Sequence, residues 1–107
     1  MNNTVTLNDN RDFKRIYRRG KSQVHPLLVT YAVKNRREQN RVGITATKKV
    51  GKACKRNRAR RLIREAYRQL EPTLPIGWDI VFVARSRTTQ VKMGEVLDAM
   101  RHQLQKL

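Results

Sequence analysis

Lys48 to Arg68 (KKVGKACKRNRARRLIREAYR) sets ten lysines and arginines against one acid, Glu65, and still keeps an apolar repeat at helical spacing. Ala59, Leu62, Ile63, Ala66, Tyr67 and Leu70 share one face at about 100° per residue. Arg60, Arg61, Arg64 and Arg68 lie opposite, with Arg58 on one flank. Such a segment can fold in few ways: the apolar stripe must bury against another layer, and the cationic surface must stay outside. The spacing predicts a helix from about Asn57 to Leu70, stopped by Pro72 and Pro75 and preceded by a basic loop, Lys48 to Lys55.

A merely solvated helix mixes signs, whereas Arg60–Arg64–Arg68 repeats like charge at i, i+4, at about a few tenths of a kcal/mol per pair in the free chain. A membrane-surface helix needs a free apolar face with aromatic residues at its boundary, and here a core claims that face. A polyanion answers the charge, and nucleic acid is the most economical one. Arginine's planar fork suits phosphate and also stacks on bases. Asn57 has two readings, helix cap or RNA contact. Lys48, Lys49 and Lys52 flank Gly51, where a missing side chain lets backbone approach a phosphate.

The whole chain agrees. It has 107 residues, a formal net charge of +17 and a pI near 11.4. That length suits one domain, 1–107, with a modest core. A single cysteine, Cys54, excludes an internal disulfide and suits a reducing compartment. No apolar run approaches the ~20 residues that span a bilayer, and MNNTVTLNDN lacks the features of a signal peptide. The expectation is a cytoplasmic protein with no membrane partner. His25 and His102 fall in separate elements, and the acids are scattered singly, so the residue types argue against a protein-only nuclease.

Residues 1–7 read as an irregular lead. A helix follows from a cap at Thr6 or Asn8 to about Arg19, stopped by Gly20, with Phe13, Ile16 and Tyr17 on one face. Leu27 to Lys34 and Arg41 to Thr47 alternate and predict an antiparallel hairpin across Asn35 to Asn40. Trp78 to Arg85 predicts a strand buried on both faces. Ser86 to Thr89 turns into a last helix lined by Met93, Val96, Leu97, Met100, Leu104 and Leu107. The class is α+β, in the order α-β-β-α-β-α.

Arg41 to Tyr67 (RVGITATKKVGKACKRNRARRLIREAY) closely resembles the RNR signature region of the bacterial ribonuclease P protein subunit, and DFKRIYRRGKS (Asp12 to Ser22) resembles that family's first helix. The resemblance implies an α/β sandwich with a small mixed sheet and a left-handed βαβ crossover. It implies a subunit that binds a catalytic RNA and the 5′ leader of precursor tRNA, assisting endonucleolytic removal of that leader. The chemistry is then expected on the RNA, with Mg2+ required there, no cofactor on the protein and no protein partner required. Arg56, Asn57 and Arg58 match the RNR motif. Arg60, Arg61, Arg64 and Arg68, with Lys48, Lys49 and Lys52, extend the expected RNA surface. Phe13, Tyr17 and Tyr31 match the aromatic positions of a leader cleft; from the residues alone, Phe13 and Tyr17 read as core packing. A ribosomal or other structural RNA-binding protein is the alternative reading.

Overall fold

The longest apolar run, in Trp78 to Ala84, takes the centre of a five-stranded sheet. The computed structural model describes residues 3–107. In chain order the elements are β1 (Thr4–Thr6), α1 (Asn10–Arg19), β2 (Lys21–His25), β3 (Leu28–Lys34), β4 (Asn40–Thr45), α2 (Ala53–Leu70), β5 (Trp78–Ala84) and α3 (Met93–Leu104). Short 3-10 turns cover Lys48–Val50, Glu71–Thr73 and Ser86–Gln90. The strand order is β1-β4-β5-β3-β2.

Three sequence expectations change. The predicted hairpin of β3 and β4 does not form: β5 lies between them, antiparallel to β3 and parallel to β4, with Val81 opposite both Tyr31 and Gly43. A strand apolar on both faces belongs in the middle, and adjacency in sequence yields to that. The hairpin is instead β2 with β3, turning at Pro26 and Leu27. KSQVH carries little apolar signal because β2 is an edge strand with Val24 exposed. The expected irregular lead contains β1, which pairs in parallel with β4; residues 1 and 2 lie outside the described residues.

The sheet separates two apolar clusters. On one face Leu28, Ala32, Val42, Ile80, Phe82 and Ala84 pack against Ala59, Ile63, Ala66, Tyr67 and Leu70 of α2 and Val96, Met100 and Leu104 of α3. On the other, α1 buries Ile16 against Leu7 and Val81, and Phe13, Tyr31, Val33 and Val83 stay partly open. Asp9 caps α1 by accepting from the Arg11 backbone N–H at 2.8 Å, in place of the expected Thr6 or Asn8. α3 is pinned to the β2–β3 hairpin by buried Gln103, whose Nε2 donates to the Leu28 carbonyl at 3.0 Å and whose Oε1 accepts from the Thr30 hydroxyl.

Candidate nucleic-acid interface

Ala59, Ile63, Ala66 and Tyr67 root α2 with no exposed surface, and the Tyr67 hydroxyl shares a hydrogen bond of 2.8 Å with Thr4 Oγ1 in β1. The helix begins at Ala53, a full turn before the predicted start. Asn57 is therefore not its cap. It sits exposed in the second turn, with Oδ1 accepting from Arg60. Lys52 holds the cap position without a side-chain cap bond, and no acid lies in the first turn. The free first-turn amides and the positive end of the helix dipole thus add to the surrounding lysines.

Arg58, Arg61, Arg64 and Arg68 are exposed, while Arg56 and Arg60 are partly buried. The Arg56 Nε is shut off from solvent without a hydrogen-bond partner. Of the α2 arginines only Arg68 meets an acid among the described residues, Glu65 at 3.4 Å. The arginines fan around the helix. Arg64 turns to the β1–β4 edge beside Thr6, Leu7 and Val42, whereas Arg58 and Arg61 turn towards α3.

Exposed Lys48, Lys49 and Lys52 occupy the bend between β4 and α2, anchored by buried Val50. Gly51 belongs there because its φ is 137°, a conformation that side-chain-bearing residues rarely adopt. Cys54 is exposed at the start of α2.

The aromatic residues gather on the opposite face. Tyr17, 40% exposed, meets Tyr31 edge-on with ring centroids 4.9 Å apart and lies 6.4 Å from the Phe13 ring. Phe13 rests on the backbone of Gly43, where an added Cβ would stand 2.5 Å from Cε1. Gly43→Ala is expected to force the ring off the sheet, at about 1–3 kcal/mol of stability, read from the denaturant midpoint. An unchanged midpoint and an unchanged aromatic surface would contradict that packing.

Beside the trio opens a basin of about 680 Å³ lined by Val29 and Val83 on its floor and Lys48, Lys49 and Arg85 at its end. Sequence reasoning left Val29, Val83 and Arg85 out of the site, although Val29 shares the outward side of β3 with Tyr31. The Lys48–Lys49 turn joins this basin to the basic helix.

A charged cluster fixes α1 to the sheet. Asp79 has no exposed surface. It accepts from Arg41 Nε and Nη2 at 2.8 and 2.6 Å, from Arg15 Nη2 at 2.7 Å and from Asn35 Nδ2 at 2.8 Å. Burial alone would raise its carboxyl; the bonds from Arg41, Arg15 and Asn35 outweigh that and hold it at about 2. Among the described residues no group of three or more His, Cys, Asp or Glu is placed to hold a metal ion, and no helix is long and apolar enough to cross a membrane.

A cationic helix rooted in a small α+β core, with an aromatic cluster on the far side of the sheet, defines an RNA-binding domain. The family described as Ribonuclease P matches residues 1–107, and the chain belongs to it. It is 42% identical over 101 residues to the ribonuclease P protein component of Clostridium botulinum (strain Loch Maree / Type A3), covering 94% of this chain and 91% of that one. The protein component of Clostridioides difficile (strain 630) is 49% identical over 85 residues, 78% of this chain and 75% of that one. Among solved structures, the RNase P protein from Thermotoga maritima superposes with a TM-score of 0.86 at 31% identity, over 96% of this chain and 97% of its own.

Proposed function

We propose that this chain is the RNA-binding subunit of a ribonuclease P ribonucleoprotein, acting in the cytoplasm on precursor tRNA. In this reading α2 docks on the catalytic RNA, and the aromatic cleft holds the single-stranded 5′ leader. The RNA and its Mg2+ carry out the cleavage; the protein neutralises phosphate and positions the leader. The observation that carries the reading is the set of exposed α2 arginines, of which only Arg68 has an acidic partner among the described residues, on a helix that the core cannot release. The cleft supports it in kind. Single strands are held without strict sequence by stacking on aromatic rings within a basic groove, at ~1–3 kcal/mol per base.

The test compares cleavage of precursor tRNA by the catalytic RNA at low magnesium, with and without the chain; no stimulation would overturn the reading. Phe13→Ala combined with Tyr31→Ala is expected to weaken binding of precursor tRNA to the holoenzyme by about tenfold or more and to leave mature tRNA unaffected. Equal losses for both would remove the leader from the cleft. The ribosomal alternative predicts that RNA recovered with the chain is mainly ribosomal.

A further inference from the structure

Leu62 belongs to the apolar repeat of α2, yet it is not in the core. It is partly exposed beside Met93 at the start of α3, and the two line a groove of about 510 Å³ between the helices. Arg58, Arg61 and Glu65 form its other walls. Neither arginine has an acidic partner among the described residues, and the Glu65 carboxylate reaches only the edge of Arg68, at 3.4 Å. Here an apolar floor lies under two guanidinium groups that have no acidic partner among the described residues.

We propose that this groove receives one unpaired nucleobase of the catalytic RNA. The inference rests on α2 facing that RNA and adds a base contact to what is otherwise a phosphate contact. Leu62 and Met93 would cover the flat of the ring. Arg58 and Arg61 stand where the phosphates on either side of a turned-out nucleotide would lie, and a guanidinium plane can also stack on the base. The Glu65 carboxylate only accepts hydrogen bonds, so it favours a base with an exocyclic amino group: adenine, cytosine or guanine over uracil. The charge of the walls decides against an apolar peptide as occupant, since such a peptide would leave both guanidinium groups unanswered.

Base burial and phosphate pairing differ in their salt dependence. Leu62→Ala with Met93→Ala removes apolar surface and no charge. The dissociation constant for the catalytic RNA is expected to rise about tenfold, with the slope of log K against log salt unchanged. In the same complex, chemical probing is expected to show one unpaired nucleotide shielded by the native chain and reactive with the variant. Leu62→Phe fills the groove instead of emptying it, so it keeps the fold where the alanine pair loses it; it is expected to produce the same loss and the same reactive nucleotide. Glu65→Gln is expected to narrow the preference when that nucleotide is changed to uracil. Unchanged affinity in a folded groove variant, or a fall in salt slope equal to that of an arginine variant, would overturn the proposal. If the native chain itself fails to bind the catalytic RNA, the reading of α2 fails, and that outcome is seen before any variant is made.

Discussion

Arg58→Ala combined with Arg61→Ala is expected to weaken binding to the catalytic RNA by about 10²–10⁴-fold and to lower the salt slope by about 1.4–1.8. Each hydrogen bond to a charged group contributes ~1.5–3 kcal/mol, and two are removed. Each phosphate contact contributes about 0.7–0.9 to the slope, according to whether the strand is single or double. Both side chains are exposed and have no acidic partner among the described residues, so the fold has no stake in them. The thermal midpoint should therefore stay put or rise, because the change relieves repulsion in a chain of net charge +17. The measurement is RNA binding between 50 and 200 mM salt, where a complex with six to ten phosphate contacts loses roughly 10³–10⁵ in affinity. A variant that binds as tightly as the native chain, with the same slope, would mean that this side of α2 faces solvent or protein.

What could be read in advance depended on how local the signal was. The rooted face of α2, Leu62 apart, and the two-sided burial of β5 follow from residue spacing within one element, and both stand. Strand pairing is a long-range matter. β3 and β4 alternate well and are joined by a short polar loop, so they resemble a hairpin, yet the insertion of β5 between them depends on residues some forty positions later. β1 and β2 escaped notice because edge strands expose one side and carry polar residues. The α2 start moved from Asn57 to Ala53 because the strongest cap residue in the segment sits inside the helix. In the site, the arginines were legible from charge density alone. Phe13, Tyr17 and Tyr31 were not: on spacing Phe13 and Tyr17 read as core, and all three entered through the family resemblance. In the structure Phe13 is pressed on Gly43 and Tyr17 is open to solvent.

Asp79 shows the limit of such reading most clearly, since an acid at the start of an apolar strand looks like a solvated end. Its replacement is expected to have a large effect on stability. Asp79→Ala leaves the guanidinium groups of Arg15 and Arg41 with only Asp12, at 3.3 and 3.6 Å, to answer their charge; breaking a buried pair from one side costs about 3–5 kcal/mol, and Asp12 offsets part of that. Small domains have ~5–15 kcal/mol in all, so the variant should unfold at a much lower urea concentration, and α1 with its aromatic residues should loosen first. The charge part of this effect can be isolated by pH. The carboxyl stands at about 2 in the folded chain against an ordinary 3.8, so its contribution is complete above about 3.8 and disappears as the pH falls through about 2. The shift corresponds to about 2 kcal/mol. Asp79→Asn keeps the shape and removes the titration. The native chain should lose stability steeply between pH 4 and pH 2, the asparagine variant should be less stable at neutral pH, and the two curves should converge near pH 2. Parallel curves across that window would show that Asp79 does not tie α1 to the sheet through its charge.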